Sequence, residues 1–380
     1  MKLIGVTGTN GKTTITYLIE KIFSSQFNVG VIGTINHHFA KRIIKAKNTT
    51  PGYIQLQKIL HNMFEAKVNL VAMEVSSHGL DQNRIKGLSF DAAIFTNLTP
   101  EHLDYHKTIK NYFLSKAKLF QGLKKNAVAI INVDDRWGRK LFSQTKSKII
   151  TYGLNKNADI FATEIDMSLE GLSFTVNYDN SAFNVKSSLI GKHNIYNILA
   201  AVSCAISQNI AIELIAKGVN RLKSVRGRLQ IIKHNQPFRV FVDYAHTPDA
   251  LEKIICTLNS FKKNKLILVF GCGGDRDKIK RPKMGDIACR LADFTIITSD
   301  NPRSEDPKVI AEDIKEGFRG RNMRIELDRY KAISRALNLA KKDDIVLVCG
   351  KGHESVQIFK DRIVPFSDQK VIKCLLSRKL

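Results

Sequence analysis

One tryptophan, eight prolines and six cysteines in 380 residues narrow the reading before any motif is found. The cysteines (Cys204, Cys256, Cys272, Cys289, Cys349 and Cys374) are scattered and form no CxxC pair. That spacing argues against a disulfide scaffold or a cysteine zinc site, and for reduced thiols in a cytoplasmic protein. No apolar run approaches the roughly 20 residues of a membrane span. The opening Met1-Lys2-Leu3-Ile4-Gly5-Val6-Thr7-Gly8 runs its apolar stretch straight into a glycine loop, so it reads as a strand of the fold and not as a signal peptide. Acidic side chains are also scarce, 35 against 60 lysines and arginines, for a formal net charge of +25. Charge of that sign suits nucleic acid, yet the lysines are dispersed and no aromatic residues interleave with them as a stacking platform requires. Abundant Lys, Ile and Asn fit a codon bias, with attraction of anionic substrates as a secondary benefit. Neither a repeat nor a low-complexity tract is present.

What is there is an alternation of short β-branched runs with amphipathic helices. The spacing predicts strands at Leu3–Val6, Val29–Ile32, Leu70–Val75, Ala92–Thr96, Ala127–Asn132 and Lys148–Tyr152. Strands separated by helices imply a mostly parallel sheet covered on both faces. From about Asp159 to Leu189 the period changes to two, with turns at Glu170-Gly171 and Asp179-Asn180, which predicts a small antiparallel patch. A helix is expected over Asn194–Ser207, and Gly218–Arg228 is the expected domain boundary, giving domains of 1–221 and 222–380. The second half repeats the α/β pattern, Rossmann-like, with strands at Arg239–Val242, Leu266–Phe270, Phe294–Thr298 and Ile345–Cys349. Each is followed at once by a polar or glycine-rich cluster, and open α/β sheets bind ligands beyond the carboxyl ends of their strands.

The strongest motif is Gly8-Thr9-Asn10-Gly11-Lys12-Thr13-Thr14, between a strand and a helix expected over 13–23. Backbone N–H groups and the helix dipole would face phosphates, Lys12 would reach the outer phosphates of ATP, and Thr13 would ligate magnesium. It is a variant of the strict Walker pattern, because Val6 stands where that pattern has glycine. Glu74, in Met73–Arg84, ends a buried strand, where a carboxylate is expensive unless it meets a cation such as magnesium. The segment Thr96–His106 also follows a strand and offers His102 and His106 as further metal ligands.

Together with Thr49-Thr50-Pro51, Ser115–Phe120, Gly191–Ala201, Val225–Arg228, Val242–Leu251, Gly271–Gly285, Asp300–Pro307 and Gly350–Glu354, these motifs run in order along nearly the whole chain. The sequence resembles the Mur ligases, and within them the MurE branch, which adds the third residue to the peptide of UDP-N-acetylmuramoyl-dipeptide. The resemblance implies an ADP-forming amide ligase of peptidoglycan precursor synthesis, using ATP and magnesium, acting in the cytoplasm as a monomer, without nucleic acid or membrane. By that resemblance Glu74, His102 and a carbamylated Lys116 join Thr13 as metal ligands. Gly8, Thr9, Asn10, Gly11, Lys12, Thr14, Asn97, Asn194, Arg228 and Asp243 would contact the nucleotide. Thr49, Thr50, Ser76, Gln82 and Arg84 would hold a muramyl dipeptide. Arg276, Asp300, Asn301, Arg303, Gly350 and Glu354 would take the incoming amino acid. The arginine of Asp300-Asn301-Pro302-Arg303 resembles the meso-diaminopimelate version, in which it reads the distal carboxylate bidentately; the alternative is a local pair with Glu305 or Asp306. The family's N-terminal uridine-binding domain has no counterpart ahead of Leu3, so the expectation stays divided. The candidates are a shortened chain, a separate chain supplying that domain, and a substrate without UDP. Folylpolyglutamate and cyanophycin synthetases share the loop and the domain pair, and a non-catalytic nucleotide-binding partner is the reading from another class.

Overall fold

A computed structural model describes residues 1–377, which divide into two compact units, the first Met1–Lys223 and the second beginning at Ser224. In the first unit the strands are β1 (Lys2–Thr7), β2 (Val29–Ile32), β3 (Asn36–Phe39), β4 (Arg42–Lys45), β5 (Leu70–Glu74) and β6 (Ala92–Phe95). They continue with β7 (Val128–Asn132), β8 (Lys148–Gly153), β9 (Ile160–Ser168), β10 (Gly171–Tyr178) and β11 (Ser181–Ser187). The helices are α1 (Lys12–Phe23), α2 (Tyr53–Glu65), α3 (Ser77–Asp81), α4 (Leu103–His106), α5 (Ile109–Gln121), α6 (Arg136–Phe142), α7 (Lys192–Ser207) and α8 (Ile212–Arg221). All eleven strands form one sheet in the order β11-β10-β9-β8-β7-β6-β1-β5-β2-β3-β4, parallel from β8 to β2.

The central strands β5, β6 and β7 are buried along their whole length, as continuous apolar runs between two helical layers must be. Tyr112, Phe113, Ala117 and Phe120 of α5 share a core with Val71, Met73, Phe95 and Ile131 of the sheet. Helices α1 and α7 pack together and bury Ile15, Ile19, Ile195, Ile198 and Leu199. Each such side chain contributes about 1.5–3 kcal/mol when taken out of water, so the sheet edge that carries the site rests on a large apolar support.

The expected antiparallel patch is present as β9, β10 and β11, and it continues the main sheet: β9 joins β8 in parallel through Tyr152↔Ile160 and Gly153↔Phe161. At the opposite edge the structure adds a hairpin, β3–β4, that the sequence reading left out. Its turn residues Ala40 and Lys41 both have positive φ, 43° and 68°, without the glycine or asparagine that normally announces such a turn. Gly218 belongs to helix α8 and not to a linker. A Cβ there would lie 2.4 Å from the Ile22 Cα, so this glycine lets α8 approach α1 closely.

The second unit has β12 (Gln230–Ile231), β13 (Arg239–Asp243), β14 (Leu266–Phe270), β15 (Phe294–Ile297), β16 (Met323–Ile325) and β17 (Ile345–Cys349). The order is β12-β13-β17-β14-β15-β16, parallel apart from β12. A hairpin of β18 (Val356–Ile358) and β19 (Ile363–Pro365) stands apart, and the helices are α9 (Pro248–Asn259), α10 (Lys280–Leu291), α11 (Pro307–Lys315), α12 (Arg329–Leu339) and α13 (Asp368–Ser377). The four strands predicted to end in polar clusters, β13, β17, β14 and β15, are adjacent in this sheet. Among the described residues no helix is long and apolar enough to cross a membrane.

Candidate active site

In the first unit the glycine loop leaves the carboxyl end of β1, flanked by the ends of β5 and β6. Gly8 (φ 141°) has no room for a side chain, since a Cβ would come within 1.9 Å of Thr96 Oγ1. Gly11 (φ 91°) has the left-handed conformation that opens α1, and a Cβ there would lie 2.3 Å from Asn197 Oδ1. No side chain caps α1 and its first turn carries no acid, a helix start whose dipole suits an anion. Asn97 shapes the loop: its Oδ1 accepts from Asn10 N (3.0 Å) and its backbone oxygen from Thr9 N (2.8 Å). Thr96 Oγ1 donates to Asn10 O (2.6 Å). Asn194 is buried, donating to Ile190 O (2.8 Å) and accepting from Asn197 Nδ2 (2.9 Å) at the start of α7.

Two lysines converge on this loop. Lys12 Nζ donates to Gly8 O (2.8 Å) and Thr9 O (2.7 Å), and Lys116 Nζ, arriving from α5, donates to the same Gly8 O (2.9 Å). Lys116 is 1% exposed and lies 4.5 Å from the centroid of the Tyr112 ring, whose hydroxyl is 3.3 Å from Thr9 Oγ1. Burial, reinforced by the charge of Lys12, holds the Lys116 amine well below the usual lysine range.

Glu74, at the end of β5, is 1% exposed. Its carboxylate accepts from Thr34 N (2.8 Å) and Thr34 Oγ1 (2.9 Å), and among the described residues no cation pairs with it. Thr34 Oγ1 is also 3.0 Å from Thr49 Oγ1, while Thr50 Oγ1 donates to Glu74 O (2.9 Å) and accepts from Ser76 N (2.9 Å). Arg84 donates to Thr50 O (2.8 Å) and to Gln82 Oε1. The five residues expected to hold the acceptor therefore form one hydrogen-bonded group around Glu74. His102 begins α4 with φ 57°; its ring centroid is 4.8 Å from that of His78 and 6.2 Å from that of Tyr112. It remains 43% exposed, and no hydrogen bond or ion pair joins it to Glu74. His106 is buried, with Nε2 2.9 Å from Ser77 Oγ, and serves the packing of α3. Among the described residues no group of three or more His, Cys, Asp or Glu could hold a metal, so any ion here draws on other donors as well.

In the second unit Asp243, at the end of β13, is 6% exposed and accepts from Leu229 N and Ala245 N. Burial pushes its carboxyl upward, opposed by Arg228, whose guanidinium lies 4.6 Å from the Tyr244 ring centroid. Beyond β15, Asp300 and Asn301 are buried, and Gly350 (φ 108°) passes so close that a Cβ would lie 2.4 Å from Asp300 Oδ2. Arg303, itself at φ 55°, donates to Gly274 O (2.6 Å), and the exposed Arg276 donates to Asp275 O (3.0 Å). Both guanidinium groups thus stand on one glycine turn after β14. Glu305 is engaged by the fully buried Arg281 through two 2.9 Å bonds, so the local pairing of Arg303 with Glu305 does not form.

Several structural partners escaped the sequence reading. Thr34, Tyr112 and Lys351 hold Glu74, Lys116 and Glu354, and Asn197 occupies the space a side chain at Gly11 would need. Arg329, 1% exposed, binds Asp368 through two 2.8 Å bonds and donates to Ser299 O (3.4 Å) and Cys349 O (2.9 Å). It therefore ties the ends of β15 and β17, which are not neighbours in the sheet. Lys351 and Asn197 carried a signal, their places inside Gly350–Glu354 and Gly191–Ala201; the others lie outside any motif.

The geometry agrees with comparisons to known proteins. Residues 6–205 match the Mur ligase middle domain, and 227–352 match the glutamate ligase domain of Mur ligases. A UDP-N-acetylmuramoyl-L-alanyl-D-glutamate–2,6-diaminopimelate ligase of Clostridium acetobutylicum is 45% identical over 98% of this chain and 77% of its own length. Its Clostridium botulinum counterpart is 42% identical over 99% and 78%. A solved structure of a ligase of that name is 38% identical with a TM-score of 0.70, covering 100% of this chain and 79% of its own. A folylpolyglutamate synthase of Mycobacterium tuberculosis, solved with ADP and AMPPCP, shares the fold at 16% identity (TM-score 0.74; 93% of this chain, 89% of its own). With both halves matched and close relatives spanning the chain, this protein belongs to the Mur ligase family.

Proposed function

We propose that this protein uses ATP to join meso-diaminopimelate to the D-glutamate carboxylate of UDP-N-acetylmuramoyl-L-alanyl-D-glutamate, the reaction named for its 42–45% identical relatives. The observation that carries the reading is the meeting of Lys12 and Lys116 on Gly8 O, beside a buried Glu74 that no cation among the described residues neutralises. A carboxylate in that position is stable only against a positive partner. The donors fit magnesium in kind: the Glu74 carboxylate, the Thr13 hydroxyl, His102 and a carbamate on Lys116. Magnesium, when bound, supplies charge neutralisation across the phosphate oxygens. Burial favours the neutral form of the Lys116 amine, the form that adds to carbon dioxide, making an N–C bond and releasing a proton, which puts an anionic oxygen ligand in place of the amine.

The substrate carboxylate attacks the γ-phosphorus of ATP and the bond to the bridging oxygen breaks, releasing ADP. The N–H groups at the start of α1 and the Lys12 ammonium lie where charge builds on the transferred group. The acyl-phosphate carbon is then attacked by the amino-acid nitrogen; the tetrahedral intermediate expels phosphate, and the nitrogen sheds its extra proton. Thr49, Thr50, Ser76, Gln82 and Arg84 bind the acceptor, and Arg228, Asp243, Asn97 and Asn194 contribute to the nucleotide site. Arg276, Asp300, Asn301, Arg303, Gly350 and Glu354 bind the amino acid, Arg303 reading its distal carboxylate. The free cysteines fit a reducing cytoplasm.

Product mass tests this. With ATP, magnesium and meso-diaminopimelate, the UDP-linked dipeptide should gain the mass of one diaminopimelate residue. A gain confined to the UDP-free muramyl dipeptide would move the acceptor, and no gain on either would overturn the reading.

A further inference from the structure

Lys351 is fully buried, an expensive place for an ammonium ion unless it is held on every side. It donates to Asn301 Oδ1 (2.9 Å) and to Glu354 Oε2 (2.9 Å). Asn301 Nδ2 donates to the same Glu354 Oε2 (2.8 Å), and Ile358 N donates to Asn301 Oδ1 (3.1 Å). One carboxylate oxygen is therefore fully used inside the protein. Glu354 Oε1 has no hydrogen-bond partner among the described residues, and the side chain is 27% exposed.

We propose that Lys351 is a positioning and specificity-determining residue for the incoming amino acid, an inference that rests on the function proposed above. By fixing Oε2, it freezes the Glu354 rotamer and presents Oε1 as the acceptor for a substrate ammonium. By bridging Asn301 and Glu354, it also sets the spacing between the loops after β15 and β17. A free glutamate side chain would have to lose its rotamer freedom at each binding event. Charge gives Lys351 a second role. Lys351 cancels the charge of Glu354, so the carboxylate that receives the ammonium adds no net negative charge to a site whose Arg276 and Arg303 would take carboxylates and whose Asp275 already faces Arg303. A dibasic amino acid with one carboxylate, such as L-lysine, brings one more positive charge than diaminopimelate, and Lys351 is the buried cation that opposes it.

The test is steady-state ADP release with Lys351→Met and Lys351→Gln, varying meso-diaminopimelate, L-lysine and ATP in turn. Lys351→Met should raise KM for diaminopimelate at least about tenfold, leave KM for ATP within about twofold, and narrow the diaminopimelate-to-lysine ratio of kcat/KM about tenfold. Lys351→Gln, which keeps donors but not charge, should recover part of the KM and none of the discrimination. Unchanged KM and ratio in a Lys351→Met protein with the wild-type urea midpoint would overturn the inference, as would a parallel rise in KM for ATP. Should Lys351→Met not fold, the Lys351→Gln ratio decides: an unaltered ratio sinks the charge role. A wild-type enzyme idle with diaminopimelate would instead overturn the proposed function.

Discussion

At Gly8 two amines compete for one carbonyl oxygen, and the outcome sets the chemistry of the first unit. Lys12 sits at the start of helix α1, whereas Lys116 is sealed under Tyr112. Lys12→Met should lower turnover about 10²–10³-fold, the scale for removing one pre-aimed donor, read as ADP release at saturating substrates. Lys116→Met should do at least as much and should also abolish any dependence on added bicarbonate; wild-type rates in either variant would sink the scheme. Lys12 was legible in the sequence because its loop has a spacing with a physical meaning. Lys116 was not: without the family likeness it reads as a solvated helix lysine, since nothing local shows that α5 turns it inward. Arg303 lay between these cases, its motif plain but its partner undecided until Arg281 was seen to hold Glu305. That pair gives a pH prediction. Arg281 holds the Glu305 carboxyl down at about 2. Its stabilisation is therefore complete above the ordinary carboxylate range and is lost as pH falls toward that value. Glu305→Gln should lower the urea midpoint at neutral pH, and the gap to wild type should close on acidification from about pH 5 to about pH 2.

Elements with one strong period were readable, and those held by tertiary contacts were not. The buried strands β1, β5, β14 and β17 announce themselves as apolar runs stopped by glycine or charge, so the candidate clusters at their ends could be located. The β3–β4 hairpin was missed because Ala40-Lys41 adopts a conformation suited to Asn-Gly. Replacing that pair with Asn-Gly should stabilise the first unit by about 1 kcal/mol, since left-handed backbone costs other residues about that much each; an unchanged urea midpoint would show the turn to be unstrained. Gly218 was misread for the opposite reason, as a linker glycine that is in fact a contact point. Gly218→Leu should force α8 away from α1 and destabilise by about 1–3 kcal/mol, as overpacking does, visible as a fall in melting temperature.

At the scale of the molecule, 60 basic against 35 acidic side chains make like-charge repulsion a standing cost of compactness. Raising sodium chloride from about 10 mM to about 150 mM shortens the screening length from about 30 to about 8 Å, so the melting temperature should rise over that interval; a fall would mean that attractive pairs dominate. Within the second unit, Arg329 fastens the loop after β15 and the loop after β17 with a single guanidinium. Neither strand pairs with the other, so no sheet ladder couples the two loops. Their fluctuations are joined through that side chain and through the Lys351–Asn301–Glu354 group: they open as one event with one opening free energy, and amide hydrogen exchange around Asn301 and Gly352 should run at matched rates that rise together in Arg329→Lys.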